Sequence, residues 1–201
     1  MNAPSFNNND ISAMILAGGR SSRMEGMDKG LIELNGLPMI EHVLQRLKNQ
    51  LNLIRINANR NQPTYADLGF TVIEDRLDDY QGPLAGMARG LEHCPSEWLL
   101  VVPCDTPYLP TDLVQRLYQQ AHEQQAEIAV AHDGKRMQPV VALLRRDLYP
   151  SLMAFLESGD RKIDRWYNKH QTVTVDFSDY PEGFININSM NEKLDLEKQA
   201  G

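Results

Sequence analysis

The chain has 201 residues, with 20 basic against 27 acidic side chains and a formal charge of −7. A folded chain of that length hides roughly 70% of the surface its unfolded form exposes, so it needs no disulfide or metal staple. The acidic balance argues against nonspecific nucleic-acid binding, which rests on phosphate neutralisation by Lys and Arg, though a local basic cluster can still hold a small anion.

The elements follow in chain order. The opening "MNAPSFNNND" is polar and lacks the apolar core of a signal peptide, so residues 1–10 read as a disordered lead-in. "SAMILAG" is a buried-strand pattern. "LPMIEHVLQRLKNQL" places Ile40, Val43, Leu44, Leu47 and Leu51 at helical spacing, with Pro38 in the first turn. "LIRINAN" and "FTVIED" are strands, "GPLAGMARGLEHC" a helix, and "EWLLVVPCD" a strongly apolar strand. "TDLVQRLYQQAHEQ" is a helix for which Thr111 is a natural N-cap.

"EIAVAHD" and "QPVVALLRR" are further strands, with "HDGKRMQP" (132–139) across their junction. That stretch is either a cover for a substrate or a plain hairpin. "LYPSLMAFLES" and "DRKIDRWYNK" read as helices separated by Gly159, "TVTVDF" and "FININS" as late strands. Ser189 with Glu192 forms a capping box opening a last helix, "MNEKLDLEKQ". Strand and helix alternate over the first two thirds. That predicts an α/β fold, a mostly parallel sheet with helices on both faces, to which the late strands add an antiparallel piece. Residues 11–201 read as a single domain.

Chemistry concentrates at strand ends, where open α/β sheets bind ligands. After the first strand come Gly18 and Gly19, then Arg20, Arg23 and Lys29. Glycines let backbone amides approach an anion, and a cation about 4 Å from a phosphate is worth roughly 4 kcal/mol at an effective dielectric of 20. The loop suits a polyphosphate. It is neither a P-loop nor a GxGxxG dinucleotide fingerprint, because Lys29 lies between Asp28 and Gly30 and the glycine spacing is wrong. A solvated charged turn is the plainer alternative. Asn57 and Asn59, Glu74 and Asp75, and Asp105 end three further strands. Asp105, between Pro103 and Pro107, suits Mg²⁺, which takes one or two carboxylates plus substrate phosphates; it is otherwise a cap.

Two cysteines, Cys94 and Cys104, make no metal or disulfide pattern, and the histidines form no HxxxH or HExxH pair. No run reaches the ~18 apolar residues of a membrane span. The expectation is a cytoplasmic protein.

"LAGGRSSRMEGMDKGL", "INANR", "VIED", "GPLAGM", "PCDTPYLP" and "FININS", in this order, resemble the molybdenum cofactor guanylyltransferases. The resemblance runs from about Ile15 to about Leu194. It implies a three-layer α/β/α sandwich, the Rossmann-like nucleotidyltransferase fold. It implies transfer of GMP from GTP to molybdenum-molybdopterin, with Mg²⁺ as cofactor and pyrophosphate as second product. By motif, Leu16, Ala17, Gly18 and Gly19 would line the GTP site, and Lys29 and Arg23 would meet the phosphates. Asn57 and Asp75 would contact the nucleotide, and Gly82 and Gly86 would border the guanine. Asp105 would hold Mg²⁺, and Asn186 and Asn188 would lie near the pterin or the metal. Implied partners are other cofactor-synthesis proteins and molybdoenzyme chaperones. One departure is Glu25, where the family usually has glycine. Relatives that use CTP or another acceptor share the opening loop, and a noncatalytic nucleotide-binding module would share the fold.

Overall fold

A computed structural model of the chain describes residues 7, 9–18, 28–75 and 82–187. The elements are β1 (Ile11–Leu16), a 3₁₀ turn (Lys29–Leu31), β2 (Glu33–Leu34), β3 (Leu37–Pro38), α1 (Met39–Lys48) and β4 (Ile54–Asn57). Then come α2 (Gln62–Ala66), β5 (Thr71–Ile73), α3 (Pro83–Glu92), β6 (Trp98–Pro103) and α4 (Leu113–Glu123). β7 (Ile128–His132), β8 (Met137–Arg145), a 3₁₀ turn (Arg146–Leu148), α5 (Tyr149–Glu157), α6 (Ile163–Tyr167), β9 (Thr172–Asp176) and a 3₁₀ turn (Pro181–Phe184) complete it.

Seven strands form one sheet in the order β5-β4-β1-β6-β8-β7-β9. Successive strand residues point to opposite faces, so each central strand feeds two cores. Ile11, Ala13, Ile15, Leu100 and Val102 pack with Val43, Leu47, Leu113 and Leu117 of α1 and α4. Met14, Leu99 and Val101 face the other way, onto Met87, Leu91, Leu152, Phe155 and Trp166 of α3, α5 and α6. The result is the expected α/β/α sandwich. At β1 the chain changes direction across the sheet, with β4 on one side and β6 on the other, both parallel. That opens a crevice at the carboxyl ends of the strands.

Three local expectations are corrected. The antiparallel strand is β8, paired with both β6 and β7, whereas the late strand β9 is parallel to β7. The connection from His132 to Met137 is too short for a crossover, so β8 must reverse direction. "FININS" gives no strand among its described residues. Phe184 instead ends a 3₁₀ turn and stacks edge-on against Phe177 with centroids 5.3 Å apart. Ile187 is buried separately, beside Ile32, Leu34 and Met39. Thr111 does not cap α4, which begins at Leu113. The Gln50 side chain does so from α1's end of the molecule: its Oε1 accepts from the Val114 amide at 3.0 Å, while its Nε2 donates to the Pro110 carbonyl at 3.0 Å. The Ser189–Glu192 capping box and the helix after it lie outside the described residues. So does most of the polar lead-in, although the Asp10 carbonyl accepts from the Trp98 amide at 3.0 Å.

Candidate active site

The ends of β1, β4, β5 and β6 carry Leu16 to Gly18, Asn57 and Asn59, Glu74 and Asp75, and Asp105. All of these line one cavity of about 1080 Å³. Its floor is braced by hydrogen bonds between strand ends. Asn57, 2% exposed, donates through Nδ2 to the Ile73 carbonyl at 3.1 Å and to Asp75 Oδ1 at 2.9 Å. Asn59 donates to Asp75 Oδ2 at 2.8 Å and accepts from the Asp75 amide at 2.8 Å. α3 opens against this floor, with Gly82, Pro83 and Gly86 on the cavity wall. A Cβ at Gly86 would lie 2.6 Å from Asn57 Oδ1 and 2.7 Å from Leu16 Cδ2, so only glycine lets the helix come this close. The first-turn amides of α3 and its dipole favour an anion there.

Lys29 comes from a turn that Asn61 and Tyr65, just after β4, tie in place through Asp28. Its Nζ lies 3.1 Å from Asp105 Oδ2, with side chains 27% and 12% exposed. The turn that carries Lys29 is pinned by its neighbour Asp28. The buried Tyr65 hydroxyl donates to Asp28 Oδ1 at 2.6 Å. The Gly30 amide donates to Oδ1 at 3.3 Å, and Asn61 Nδ2 to Oδ2 at 3.2 Å. Burial, then the neighbouring Cys104 and the hydrogen bond to Asp28, push the Tyr65 hydroxyl above its ordinary pKa, so it stays a donor.

Tyr65→Phe should therefore cost roughly 1.5–3 kcal/mol, the range for a hydrogen bond to a charged group. That is a melting temperature roughly 3–12 °C lower for a chain of this size. Thermal denaturation checks it, and an unchanged midpoint would mean that the hydroxyl adds nothing.

Cys104 is buried in the same wall. Burial and then Asp105 hold its thiol well above the usual range, so it packs as a neutral group and gives no reactive thiolate. Asn186 reaches the cavity from the C-terminal segment. It accepts from Thr106 Oγ1 at 2.8 Å, and the Ile187 amide next to it donates to the Asp105 carbonyl at 3.1 Å.

Leu16, Ala17, Gly18, Lys29, Asn57, Asp75, Gly82, Asp105 and Asn186 thus meet in one place. Gly19, Arg23 and Asn188 lie outside the described residues, as does Glu25. One feature went unread in the sequence and one was read only as an open alternative. The first is the Asp28–Tyr65 anchor, signalled only by an acid directly before the lysine. The other is the β7–β8 turn, whose Arg136, Met137 and Gln138 also line the cavity and whose Asp-Gly pair between two strand patterns marks a hairpin. No three metal-ligating side chains cluster among the described residues. Of the carboxylates on the wall, Asp28 is tied to Tyr65 and Asn61 and Asp75 to Asn57 and Asn59, while Asp105 faces a space large enough for phosphates. That fits Mg²⁺, which commonly binds through one or two carboxylates plus substrate oxygens.

A curated protein of Shewanella sediminis, named molybdenum cofactor guanylyltransferase, is 52% identical over 188 residues, 94% of this chain and 96% of its own. One of the same name from Shewanella woodyi is 54% identical over 186 residues, 92% and 95% of the two chains. The family model described as MobA-like NTP transferase domain matches residues 13–173. The chain belongs to this family of nucleotidyltransferases. Solved structures agree on the fold. The molybdopterin-guanine dinucleotide biosynthesis protein A of Archaeoglobus fulgidus superposes with a TM-score of 0.77 at 21% identity, covering 94% of this chain and 98% of that one. The 4-diphosphocytidyl-2C-methyl-D-erythritol synthase of Anaerococcus prevotii gives 0.75 at 13% identity, covering 96% of each.

Proposed function

We propose that the chain transfers GMP from GTP to the terminal phosphate of molybdenum-molybdopterin, giving the guanine dinucleotide cofactor and pyrophosphate. The carrying observation is the cavity itself. Gly18, Lys29, Asn57, Asp75, Gly82, Asp105 and Asn186 come from separate segments and converge on it. The curated relatives' shared name gives the substrates.

The nucleotide occupies the flank made by β1, β4, β5 and α3. Backbone at Leu16, Ala17, Gly18 and Gly19 contacts it, Gly82 and Gly86 border the guanine, and Asn57 holds Asp75 in position to reach it. Lys29 and Arg23 neutralise its phosphates. Asp105 would hold Mg²⁺, and the ion, when bound, would supply further neutralisation there. Asn186 stands at the cavity wall for the acceptor, and by motif Asn188 would contact the same molecule.

An acceptor phosphate monoester has a second pKa near ~6 and is already largely anionic at neutral pH. Its oxygen forms the new bond to the α-phosphorus, and the α–β bridging bond breaks with its electron pair leaving on pyrophosphate. No protein base is required. The protein's task is to hold two anions in line and offset their charge. Residues 11–201 act as one catalytic unit in the cytoplasm, receiving acceptor from other cofactor-synthesis proteins and passing product to molybdoenzyme chaperones.

Thermal shifts with GTP, CTP, ATP and UTP, with and without Mg²⁺, test the nucleotide. At ~100 times its Kd a ligand adds about 2.7 kcal/mol of stability. GTP alone should shift the midpoint, more so with Mg²⁺, and pyrophosphate should appear once molybdenum-molybdopterin is added. A preference for CTP would move the chain to the cytidylyl branch. Nucleotide binding without pyrophosphate would make it a noncatalytic binder.

A further inference from the structure

Asp105 divides the cavity. On one flank stand the ends of β1, β4 and β5 and the start of α3. On the other stands the β7–β8 turn. β8 runs antiparallel to β6, with Trp98 opposite Arg145 and Val101 opposite Ala142. The start of β8 therefore emerges at the rim where β6 ends, and Arg136 and Gln138 line the cavity from there.

The turn is built to hold a shape. Asp133 Oδ1 accepts from the amides of Lys135 and Arg136, each at 2.8 Å, and Oδ2 accepts from Gln138 Nε2 at 2.7 Å. Burial pushes the Asp133 carboxyl up, but the amides of Arg136 and Lys135 and the Gln138 side chain outweigh it and hold the group below the usual range. Gly134 has φ +89°, and a Cβ there would lie 2.8 Å from the Ser178 Cβ. The tip thus leans on the segment after β9.

Arg136 and Lys29 are the two cationic side chains among the described residues of the cavity wall. Lys29 is held against Asp105. Arg136 is exposed, and its charge also acts on Asp133 of its own turn. It also borders a smaller depression of about 320 Å³, formed with Asp133, Lys135, Pro181, Phe184, Ile185 and Asn186. Two anions must meet in this site, and the nucleotide's phosphates belong to the flank of Lys29 and Gly18. The second anion needs a counter-charge of its own on the opposite flank. A guanidinium, with its planar fork of donors, matches a phosphate better than an ammonium does.

We infer that the β7–β8 turn is the acceptor-side subsite, in which Arg136 binds the terminal phosphate of the acceptor and the smaller depression takes the body of that molecule. This rests on the guanylyl-transfer function proposed above.

The test uses the full chain, with GTP, Mg²⁺ and molybdenum-molybdopterin. Arg136→Ala should raise the KM for the acceptor about 10- to 100-fold, the loss expected for charged hydrogen bonds. The Kd for GTP, measured by calorimetry, should stay within about twofold. Arg136→Lys, which keeps the charge and loses the fork, should fall between. The rise of acceptor KM with added salt should flatten in the alanine variant, because a screened ion pair has been removed. Asp133→Ala keeps the guanidinium but frees the tip, and should raise acceptor KM several-fold with GTP binding unchanged. An acceptor KM within twofold of wild type in Arg136→Ala would overturn the assignment. So would a GTP Kd raised as much as the acceptor KM, which would put Arg136 on the nucleotide. Wild-type protein that forms no pyrophosphate with this acceptor would instead overturn the function on which the subsite rests.

Discussion

Asp105→Ala should leave a folded protein that turns over at least ~10²–10³-fold more slowly, the scale on which single charge-stabilising groups act in transfer reactions. The fold should survive because the Asp105 contact that ties down the C-terminal segment is its backbone carbonyl, which accepts from Ile187 and is untouched by the substitution. What disappears is the side chain that faces the cavity and meets Lys29 at 3.1 Å. With it goes the proposed metal ligand. Circular dichroism and a melting curve establish the fold, and kcat at saturating GTP and Mg²⁺ reads the effect. A folded variant working near the wild-type rate would remove Asp105 from both metal binding and catalysis.

Lys29→Ala should lower kcat by at least ~10²-fold. The ammonium is placed by a rigid mount: Asp28, next to it, is held by Tyr65, Gly30 and Asn61. Such preorganisation matters most where charge moves, since a group already in place needs no rearrangement as the bridging bond breaks. Steady-state kinetics separates two outcomes. A fall in kcat with little change in the KM for GTP means that Lys29 acts on the transition state. A change confined to KM means that it binds ground and transition states alike.

The convergence of the site was legible because the carboxyl ends of neighbouring parallel strands gather at one rim. Asn57, Asp75 and Asp105 could be placed together from their strands alone. The brace between them was not legible, since Asn57 buries its amide to hold Asp75 and nothing in "INAN" says so. Asp28 was hidden for a similar reason. Its partner Tyr65 lies on α2, a short helix without a clear periodic pattern. The hairpin of β2 and β3 was also missed. Its Asn35-Gly36 turn, both residues at positive φ, carries the usual signal, but the strands are only two residues each. "FININS" misled because its run of Phe184, Ile185 and Ile187 has the composition of a strand. Phe184 and Ile187 are instead plugs for two different clusters.

The position of β8 has a consequence during synthesis. β6 is almost wholly apolar and is buried from Trp98 to Val102. One of its edges is covered by β1, which precedes it in the chain, and the other by β8, which follows only after α4 and β7. A nascent chain that has emerged only as far as β7 can assemble β5-β4-β1-β6 but must leave a bare, hydrophobic strand edge open to pairing with another molecule. The hazard ends when residues 137–145 leave the ribosome and close that edge. Slow translation of this stretch is therefore where the chain is most exposed to aggregation, and where holdase protection would matter most.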